Sequence, residues 1–471
     1  MSTKTNKGIN PYILVILSFL VVILIGSVLL ITPWSQQSGK WASYIDALLA
    51  AFSATCVTGI TAYPLGVADT LTFGGQIVLL LMIQIGGLGF ITILTFVVTI
   101  FRQRMEFRNR YLISQMVNSD SFADVVMFVR KIVIISLSVE LVGAVLYFPA
   151  FNEAFKVSGT GGIGDAIWYS IFHSISSFNN AGFDLMHGTV SFMRDGSLLT
   201  HLSEGMYIYL CCVCMGLIIL GGISFLVIID VFSFKKRPSQ WRSFTKAVLL
   251  TNAALLVGGA LMLFLTDGLK GNDRMSLFQV CFQSVTCRTA GFSTYNQDSL
   301  SIAGKAVSCF LMMIGGSPLS TAGGIKTTTL FMIVLASVSY FRGKKVSAFK
   351  RAYSTTMIVK ALVLLLLAII TLLISYIAIV TIGINQDQIN ALGLKSTWNE
   401  AVIFDVFSCF GTVGLATGIE PYYPVASKLI LCILMFLGRL GPMTFFQIFQ
   451  TNMDKEEVKH YKLVEEDILI G

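Results

Sequence analysis

The stretch TCRTAGF (286–292) belongs to a set of four short segments that decide the fold. Each segment holds a glycine followed by an apolar residue, and each ends a moderately apolar run that is too short to cross a bilayer. In chain order the segments are TCVTGI (55–60), SFNNAGF (177–183), TCRTAGF (286–292) and FGTVGL (410–415). Their glycines, Gly59, Gly182, Gly291 and Gly414, are 123, 109 and 123 residues apart. This spacing predicts four copies of one structural unit.

The composition indicates a polytopic membrane protein. Hydrophobic residues make up 55% of the 471-residue chain and charged residues only 12%, against about 25% charged in soluble domains. Several apolar runs exceed the ~20 residues that a bilayer-spanning helix needs. The run at 12–32 is too long for the core of a signal peptide and is interpreted as the first span. The nine cysteines follow neither a disulfide framework nor a zinc spacing.

The net charge of +8 does not indicate nucleic-acid binding, because the basic residues cluster between the apolar runs. The clusters lie at 102–131, 235–246 and 342–360, with further lysines near both ends of the chain. Cytoplasmic loops of membrane proteins are enriched in Lys and Arg. The distribution therefore predicts a multi-pass protein of the cell membrane, embedded in the lipid bilayer with both termini cytoplasmic.

The predicted fold class is an all-α polytopic membrane protein with four parallel span–pore helix–filter loop–span repeats around one pseudo-fourfold pore. The eight predicted full spans are 12–32, 73–100, 132–150, 205–234, 247–266, 300–340, 358–382 and 425–450. The four predicted re-entrant helices are 44–55, 165–176, 274–286 and 398–409. The predicted repeats cover 1–110, 111–240, 241–350 and 351–452, followed by a cytoplasmic tail at 453–471. Since each unit crosses the membrane twice, all four loops face the same side.

Four non-helical loops around one axis suit a cation filter. Irregular backbone at membrane depth is tolerated where it is buried in protein or lines water, and a ring of carbonyls can replace the hydration shell of a monovalent cation. The alternative for any single glycine is a helix-packing contact or a turn. The candidate filter residues are Thr58, Gly59, Asn180, Ala181, Gly182, Thr289, Ala290, Gly291, Thr412, Val413 and Gly414. Their hydroxyl and amide groups could instead satisfy local backbone.

The quoted segments, together with GGSPLSTAGGIKTTT (315–329) and GRLGP (438–442), resemble the Trk/Ktr/HKT superfamily of potassium transporters over essentially the whole chain. The bacterial Ktr-type membrane subunit is the most similar branch. The resemblance implies one pseudo-fourfold pore per chain, a homodimer, and a cytosolic ring of regulatory subunits that bind nucleotides. It also implies a preference for potassium, since Gly59 stands where sodium-preferring members carry serine. Sodium is a possible regulator of such systems.

In this interpretation potassium is bound by backbone carbonyls and is gated below the filter. The predicted K⁺-binding carbonyls belong to Val57, Thr58, Asn180, Ala181, Thr289, Ala290, Thr412 and Val413. The predicted gate residues are Gly315, Gly316, Ser317, Gly323, Gly324, Lys326 and Arg439. Glycine and proline break the sixth span well below Gly291, towards the cytoplasm, which predicts a gating loop at 315–324; the alternative is a packing kink. Arg439 lies within a span, so we expect it to donate to carbonyls of this loop; a structural tie between helices is the alternative.

The sequence therefore predicts a selective potassium uptake pore and not an enzyme. A sodium- or proton-coupled symporter and a sodium-permeable member of the superfamily are the alternatives. The spans lack the clustered His, Asp and Glu that an intramembrane enzyme would need. Asp184 and Asp405 lie where carboxylates could concentrate cations at a pore mouth, although a helix-end or interhelical hydrogen bond is the commoner explanation for such residues. Arg288 is expected to point away from the ion and to hold its loop from behind.

Overall fold

The computed structural model is mostly helical and describes residues 11–89, 122–186, 191–194, 197–232, 238–269, 274–383 and 395–441. The basic residues 102–110 and the predicted tail at 453–471 lie outside these ranges, as do the ends of the predicted second and eighth spans. All descriptions below refer to the described ranges.

The helices follow the apolar runs. In chain order they are α1 (Pro11–Ile31), α2 (Tyr44–Cys56), α3 (Gly66–Thr70), α4 (Phe73–Leu88), α5 (Phe122–Ser158), α6 (Ile163–Asn179), α7 (Glu204–Gly222), α8 (Phe225–Val231), α9 (Ser243–Leu263), α10 (Leu277–Thr286), α11 (Ile302–Met313), α12 (Thr327–Phe341), α13 (Thr355–Ile382), α14 (Trp398–Gly411) and α15 (Val425–Leu440). The short 3₁₀ turns are Pro33–Ser35, Leu198–His201, Pro238–Gln240, Gln297–Ser299 and Glu420–Tyr422. A π-turn at Phe264–Gly268 extends α9. Strands β1 (Ser347–Ala348) and β2 (Arg351–Ala352) form one antiparallel hairpin, which the all-α prediction did not include.

Four helical segments are long and apolar enough to cross a membrane: Met127–Ser158, Glu204–Gly222, Ser243–Gly268 and Thr355–Ile382. Others are apolar but shorter, such as α4 and α11. Their outer faces expose large apolar side chains, including Leu141, Val145, Val257 and Ile374. Exposed apolar side chains on such helices suit contact with lipid.

The predicted re-entrant helices agree with the structure better than the predicted spans do. Helices α2, α6, α10 and α14 lie where the four short apolar runs are, with ends differing by a few residues. The predicted third span (132–150) is too short, because α5 continues to Ser158. The predicted fourth span (205–234) is interrupted between α7 and α8, where Ile223 and Ser224 are extended. The sixth span is interrupted at 314–326, the region where glycine and proline predict a break.

Helix neighbours follow a cyclic order. Helices α1, α5, α9 and α13 each pack on the short helix that follows them, α2, α6, α10 and α14 respectively. Helices α4, α7 and α11 each pack on the next short helix along the chain, and α15 packs back on α2, the first. The last contact closes a circle and brings the four short helices around a common centre.

Candidate functional site: a ring of four glycine segments above an inner loop

Four three-residue stretches, called here the glycine segments, follow the short helices. They are Val57–Gly59, Asn180–Gly182, Thr289–Gly291 and Thr412–Gly414. Each begins with a residue in the left-handed region, with φ of 58° at Val57, 58° at Asn180, 73° at Thr289 and 51° at Thr412. Each ends in a glycine that also has positive φ, which glycine adopts without steric cost. The repeated conformation turns the backbone sharply away from each helix end.

The glycine segments contact one another in a closed ring. A Cβ atom added to any of the four glycines would lie within 3.0 Å of a backbone carbonyl oxygen in the next segment. The pairs are Gly59 with Ala181, Gly182 with Ala290, Gly291 with Val413, and Gly414 with Thr58. No side chain fits between neighbouring segments. The four carbonyl-bearing backbones therefore converge on one centre.

Hydroxyl groups hold the segments from behind. Ser53 Oγ accepts from the amide of Gly59 at 2.9 Å, and Ser408 Oγ accepts from the amide of Gly414 at 3.1 Å. In the other two units, Ser176 Oγ and Thr286 Oγ1 each donate at 2.6 Å to a carbonyl just beyond the glycine. These residues were not predicted. A hydroxyl five or six positions before every segment glycine is the sequence signal that could have found them.

The side chains of the candidate filter residues have mixed roles. The side-chain amide of Asn180 lies 3.2 Å from the Thr289 hydroxyl. In the orientation that satisfies both ends of the amide, its nitrogen donates to the carbonyls of Ser177 and Ile218, and its oxygen accepts a hydrogen bond from the Thr289 hydroxyl. This contact joins the second and third segments. The hydroxyls of Thr58 and Thr412 are buried without a partner in the described part of the chain.

A cavity of about 420 Å³ opens on one side of the ring. All four segment glycines line it, together with polar side chains that include Asp184, Gln297 and Glu420. Burial raises the pKa of Asp184 to about 6, so its carboxyl is ionised at neutral pH and adds negative charge beside the ring. Asp405 does not line the cavity. Its carboxyl group instead accepts from the hydroxyls of Thr417 and Tyr423, so Asp405 ties the middle of α14 to the segment that follows it.

On the opposite side lies the inner loop, defined here as residues 314–326. Its two ends are joined by a bridge between Ile314 and Ile325. The loop lies closer to the glycine segments than the sequence predicts, because a Cβ on Gly323 would overlap the Thr412 side chain. Thr321 Oγ1 donates to the carbonyl of Phe178 at 3.2 Å, at the end of the second short helix. The inner loop therefore sits directly beneath the ring.

Arg439 and Lys326 both bind backbone carbonyls at this level. Arg439 donates to the carbonyls of Thr321 in the inner loop and of Gly86 and Gly87 in α4. The expected contact between Arg439 and the loop is therefore present, while its gating role stays a prediction. Lys326 Nζ donates to the carbonyl of Ala322 at 2.7 Å. Within the described residues no group of three or more His, Cys, Asp or Glu could hold a metal ion.

An apolar helical chain with four backbone loops around one centre has the features of a membrane protein that transports ions. The family model for the TrkH cation transport proteins matches residues 3–267 and 270–461. The chain belongs to this family of cation transporters and is not an enzyme.

Named relatives and a solved structure agree with this assignment. The chain is 34% identical over 477 residues to the potassium/sodium uptake protein NtpJ of Enterococcus hirae, covering 100% of this chain and 99% of that protein. It is 33% identical to the Ktr system potassium uptake protein B of Bacillus subtilis, with 92% of each chain covered. The crystal structure of the potassium transporter TrkH from Vibrio parahaemolyticus superposes with a TM-score of 0.65 at 17% identity, covering 95% of this chain and 86% of that one.

Proposed function

We propose that the protein takes up potassium across the cell membrane through a selective pore. The observation that carries the proposal is the closed ring of glycine contacts between carbonyl-bearing segments. Carbonyls from four loops around one axis can replace the water around a dehydrated cation. The proposed K⁺ ligands are the carbonyls of the eight residues that begin the glycine segments, two from each.

The ring fits a pore built from four parallel repeats with eight full spans. The cyclic helix neighbours support this arrangement, because each unit uses the same contacts to reach the next one. The broken helix formed by α11, the inner loop and α12 counts as one span in this scheme. The proposed repeats keep the boundaries 1–110, 111–240, 241–350 and 351–452, with the termini on the cytoplasmic side.

Potassium is the proposed cargo for two reasons. The relatives from E. hirae and B. subtilis are named as potassium uptake proteins. The first segment ends in Gly59, the position at which sodium-preferring members of the superfamily carry serine. Sodium involvement is the second candidate, because the E. hirae relative is named a potassium/sodium uptake protein.

The inner loop is the proposed gate. It lies beneath the ring and is held there through Thr321, whose carbonyl accepts from Arg439 and whose hydroxyl donates to the carbonyl of Phe178. A cationic group at this depth would also repel a passing cation. Movement of the loop away from the axis would open the path to the cytoplasm, while Lys326 would move with it.

For assembly we propose a homodimer that binds a cytosolic ring of nucleotide-binding regulatory subunits. The nucleotide would occupy the partner only, and potassium would be the ion bound by this chain. This proposal is supported by the family resemblance, and cross-linking with mass measurement of the purified assembly tests it.

The central experiment measures reversal potentials of purified protein in liposomes. A potassium-selective pore gives a reversal potential that follows the potassium gradient alone. A shift with the sodium or proton gradient at a fixed potassium gradient would instead favour the coupled alternatives. A protein that shows no cation flux in this assay would refute the proposed function.

Rubidium and sodium uptake in cells without other potassium uptake tests the filter itself. Gly291→Ser is expected to lower discrimination, because the added side chain meets the carbonyl of Val413. Gly343→Ser is the matched control: it too has positive φ, but has open space around the added atom. If Gly291→Ser and Gly343→Ser discriminate equally well between rubidium and sodium, the result would count against Gly291 as a filter residue.

A further inference from the structure

Arg288 occupies an unusual place beside the ring. It directly precedes the third glycine segment, whereas the corresponding residues before the other segments are Cys56, Asn179 and Gly411. Its side chain is buried, with 6% of its surface exposed. The backbone of Arg288 is therefore continuous with the carbonyls of the ring, while its charge must find partners inside the protein.

The guanidinium group reaches the inner loop. Its Nη2 donates to the carbonyl of Gly315, where the loop begins, at 3.0 Å. The same nitrogen donates to Asn252 Oδ1 in α9 at 2.7 Å. Hydrogen bonds that carry a full charge are shorter and stronger than neutral ones, so this pair of contacts fixes the distance between the third segment and the start of the loop.

Asn252 extends the link to a second point of the loop. Its Nδ2 donates to Ser317 Oγ at 3.1 Å, and Thr327 Oγ1, at the start of α12, lies within 3.3 Å of the same Ser317 oxygen. Arg288 and Asn252 thus contact the inner loop at Gly315 and at Ser317. The connected groups belong to the third segment, α9, the loop and the helix that follows it.

The contact has room to change. Arg288 Nε and Nη1 have no partner within the described residues, and a cavity of about 20 Å³ lies beside the guanidinium group, bordered by Asn252 and Gly316. Loss of the Gly315 acceptor would leave a buried cation short of partners, which is costly in a membrane interior. The guanidinium group would then turn toward the cavity and pull on the backbone that leads into Thr289.

We propose that Arg288 is a positioning residue that couples the inner loop to the third glycine segment, so that ion binding in the ring and movement of the loop influence each other. The inference rests on the proposed function, because it takes the ring as the ion site and the loop as the gate. Coupling between two sites is reciprocal: an ion that favours one loop position is bound more tightly in that position.

The test measures the two sites against each other in the full-length protein. Ser320→Cys places a thiol on the inner loop, and its labelling rate by a water-soluble maleimide is compared in rubidium and in N-methylglucamine buffer. The protein without this substitution corrects for its native cysteines, of which Cys212 and Cys281 are exposed. The ratio of the two rates reports how strongly ring occupancy biases the loop.

With Arg288 intact we expect rubidium to change the labelling rate at least about fivefold, the lower end of common coupling factors. Arg288→Lys replaces the planar fork by a point charge that cannot keep both acceptors in place, so the ratio should fall toward one. Asn252→Leu removes the bridge to Ser317 while Arg288 stays in place, and it should lower the ratio as well. If the Arg288→Lys protein does not fold, the Asn252→Leu protein alone tests the coupling. Arg194→Lys, which alters an arginine bound to a loop carbonyl far from the inner loop, should keep the full ratio.

Two results would overturn the inference. One is a folded, transporting Arg288→Lys or Asn252→Leu protein that keeps the full rubidium effect. The other is a Ser320→Cys protein with Arg288 and Asn252 intact that transports rubidium but is labelled at the same rate with and without rubidium. Absence of rubidium transport in the protein with every native residue in place would instead refute the proposed function.

Discussion

Gly59 and Gly418 provide a matched pair for testing the ring. Their φ angles are nearly equal, +100° and +95°, so an alanine strains the backbone similarly at both sites. The surroundings differ. A Cβ on Gly59 would lie 2.6 Å from the carbonyl oxygen of Ala181, whereas a Cβ on Gly418 meets nothing within 4 Å.

The expected magnitudes follow from these distances. Left-handed backbone costs a non-glycine residue roughly 1–2 kcal/mol, so both alanine variants should lose about that much stability. Since Cβ contacts below 3.0 Å essentially never occur, Gly59→Ala must also displace the Ala181 carbonyl by several tenths of an ångström. A bond to a charged partner contributes about 1.5–3 kcal/mol. Weakening one such ion–carbonyl contact should reduce the potassium preference on the order of tenfold.

The assay is the potassium-to-sodium permeability ratio in liposomes, together with the thermal unfolding temperature in detergent. We expect both variants to unfold at lowered temperatures, Gly59→Ala at the lower one because its Cβ also displaces a carbonyl, and only Gly59→Ala to lose discrimination. A Gly418→Ala protein that loses selectivity to the same extent would show that backbone strain, and not displacement of the carbonyl, causes the effect. Full selectivity in Gly59→Ala would refute the ring as the selecting element.

Three further predictions concern the charges around the ring. Arg439→Gln should raise potassium flux severalfold at an unchanged permeability ratio, because the inner loop loses its charged tie at Thr321; single-channel or flux recordings check this, and altered selectivity would contradict it. Burial raises the pKa of Asp184 to about 6, so lowering the external pH from 7 to 5 protonates its carboxylate. Loss of this negative charge should reduce potassium uptake at limiting potassium, and Asp184→Asn should abolish that pH dependence. Lys428 Nζ lies 2.7 Å from Asp46 Oδ1 and ties α15 to the first short helix. A double-mutant cycle with Lys428→Met and Asp46→Asn should give a coupling of about 0.5–1 kcal/mol in the free energy of unfolding, since the pair is partly exposed.

The positions of the short helices and of the glycine segments could be predicted because both signals are local. Short apolar runs ending in glycine recur at a regular spacing, and each run forms a helix at the expected place. The break of the sixth span was predictable for the same reason, since glycine and proline act on their own backbone. The interruption at Ile223 and Ser224 was missed although Gly221 and Gly222 directly precede it, because small residues within a span also serve as helix-packing contacts.

Distant contacts could be predicted only in outline: the repeat suggested four loops around one axis and Arg439 was expected at the inner loop, but the individual atom pairs could not be predicted. The ring joins Gly414 to Thr58 across most of the sequence, and no local pattern encodes which backbone atoms of neighbouring segments meet. The target of Arg288 was open for the same reason: a buried cation requires acceptors, but the sequence does not show that Gly315 and Asn252 supply them. Hydroxyl anchors such as Ser53 and Ser408 were missed because serine is common before turns.

The two arginines beneath the ring share a feature that bears on gating. Arg288 contacts the carbonyl of Gly315 and Arg439 that of Thr321, so each holds the inner loop through neutral backbone groups. A carboxylate partner would cancel the positive charge, whereas a carbonyl leaves most of it in place. If the inner loop is the gate, the Arg439 guanidinium, which contacts it directly, would oppose the passage of a cation toward the cytoplasm, and Arg288 would add positive charge nearby in a low-dielectric interior where charges act strongly. Loop movement would remove a steric block, and it would also free both cations to turn away from the path. Steric and electrostatic barriers would thus fall together, so that a short loop could control the flux.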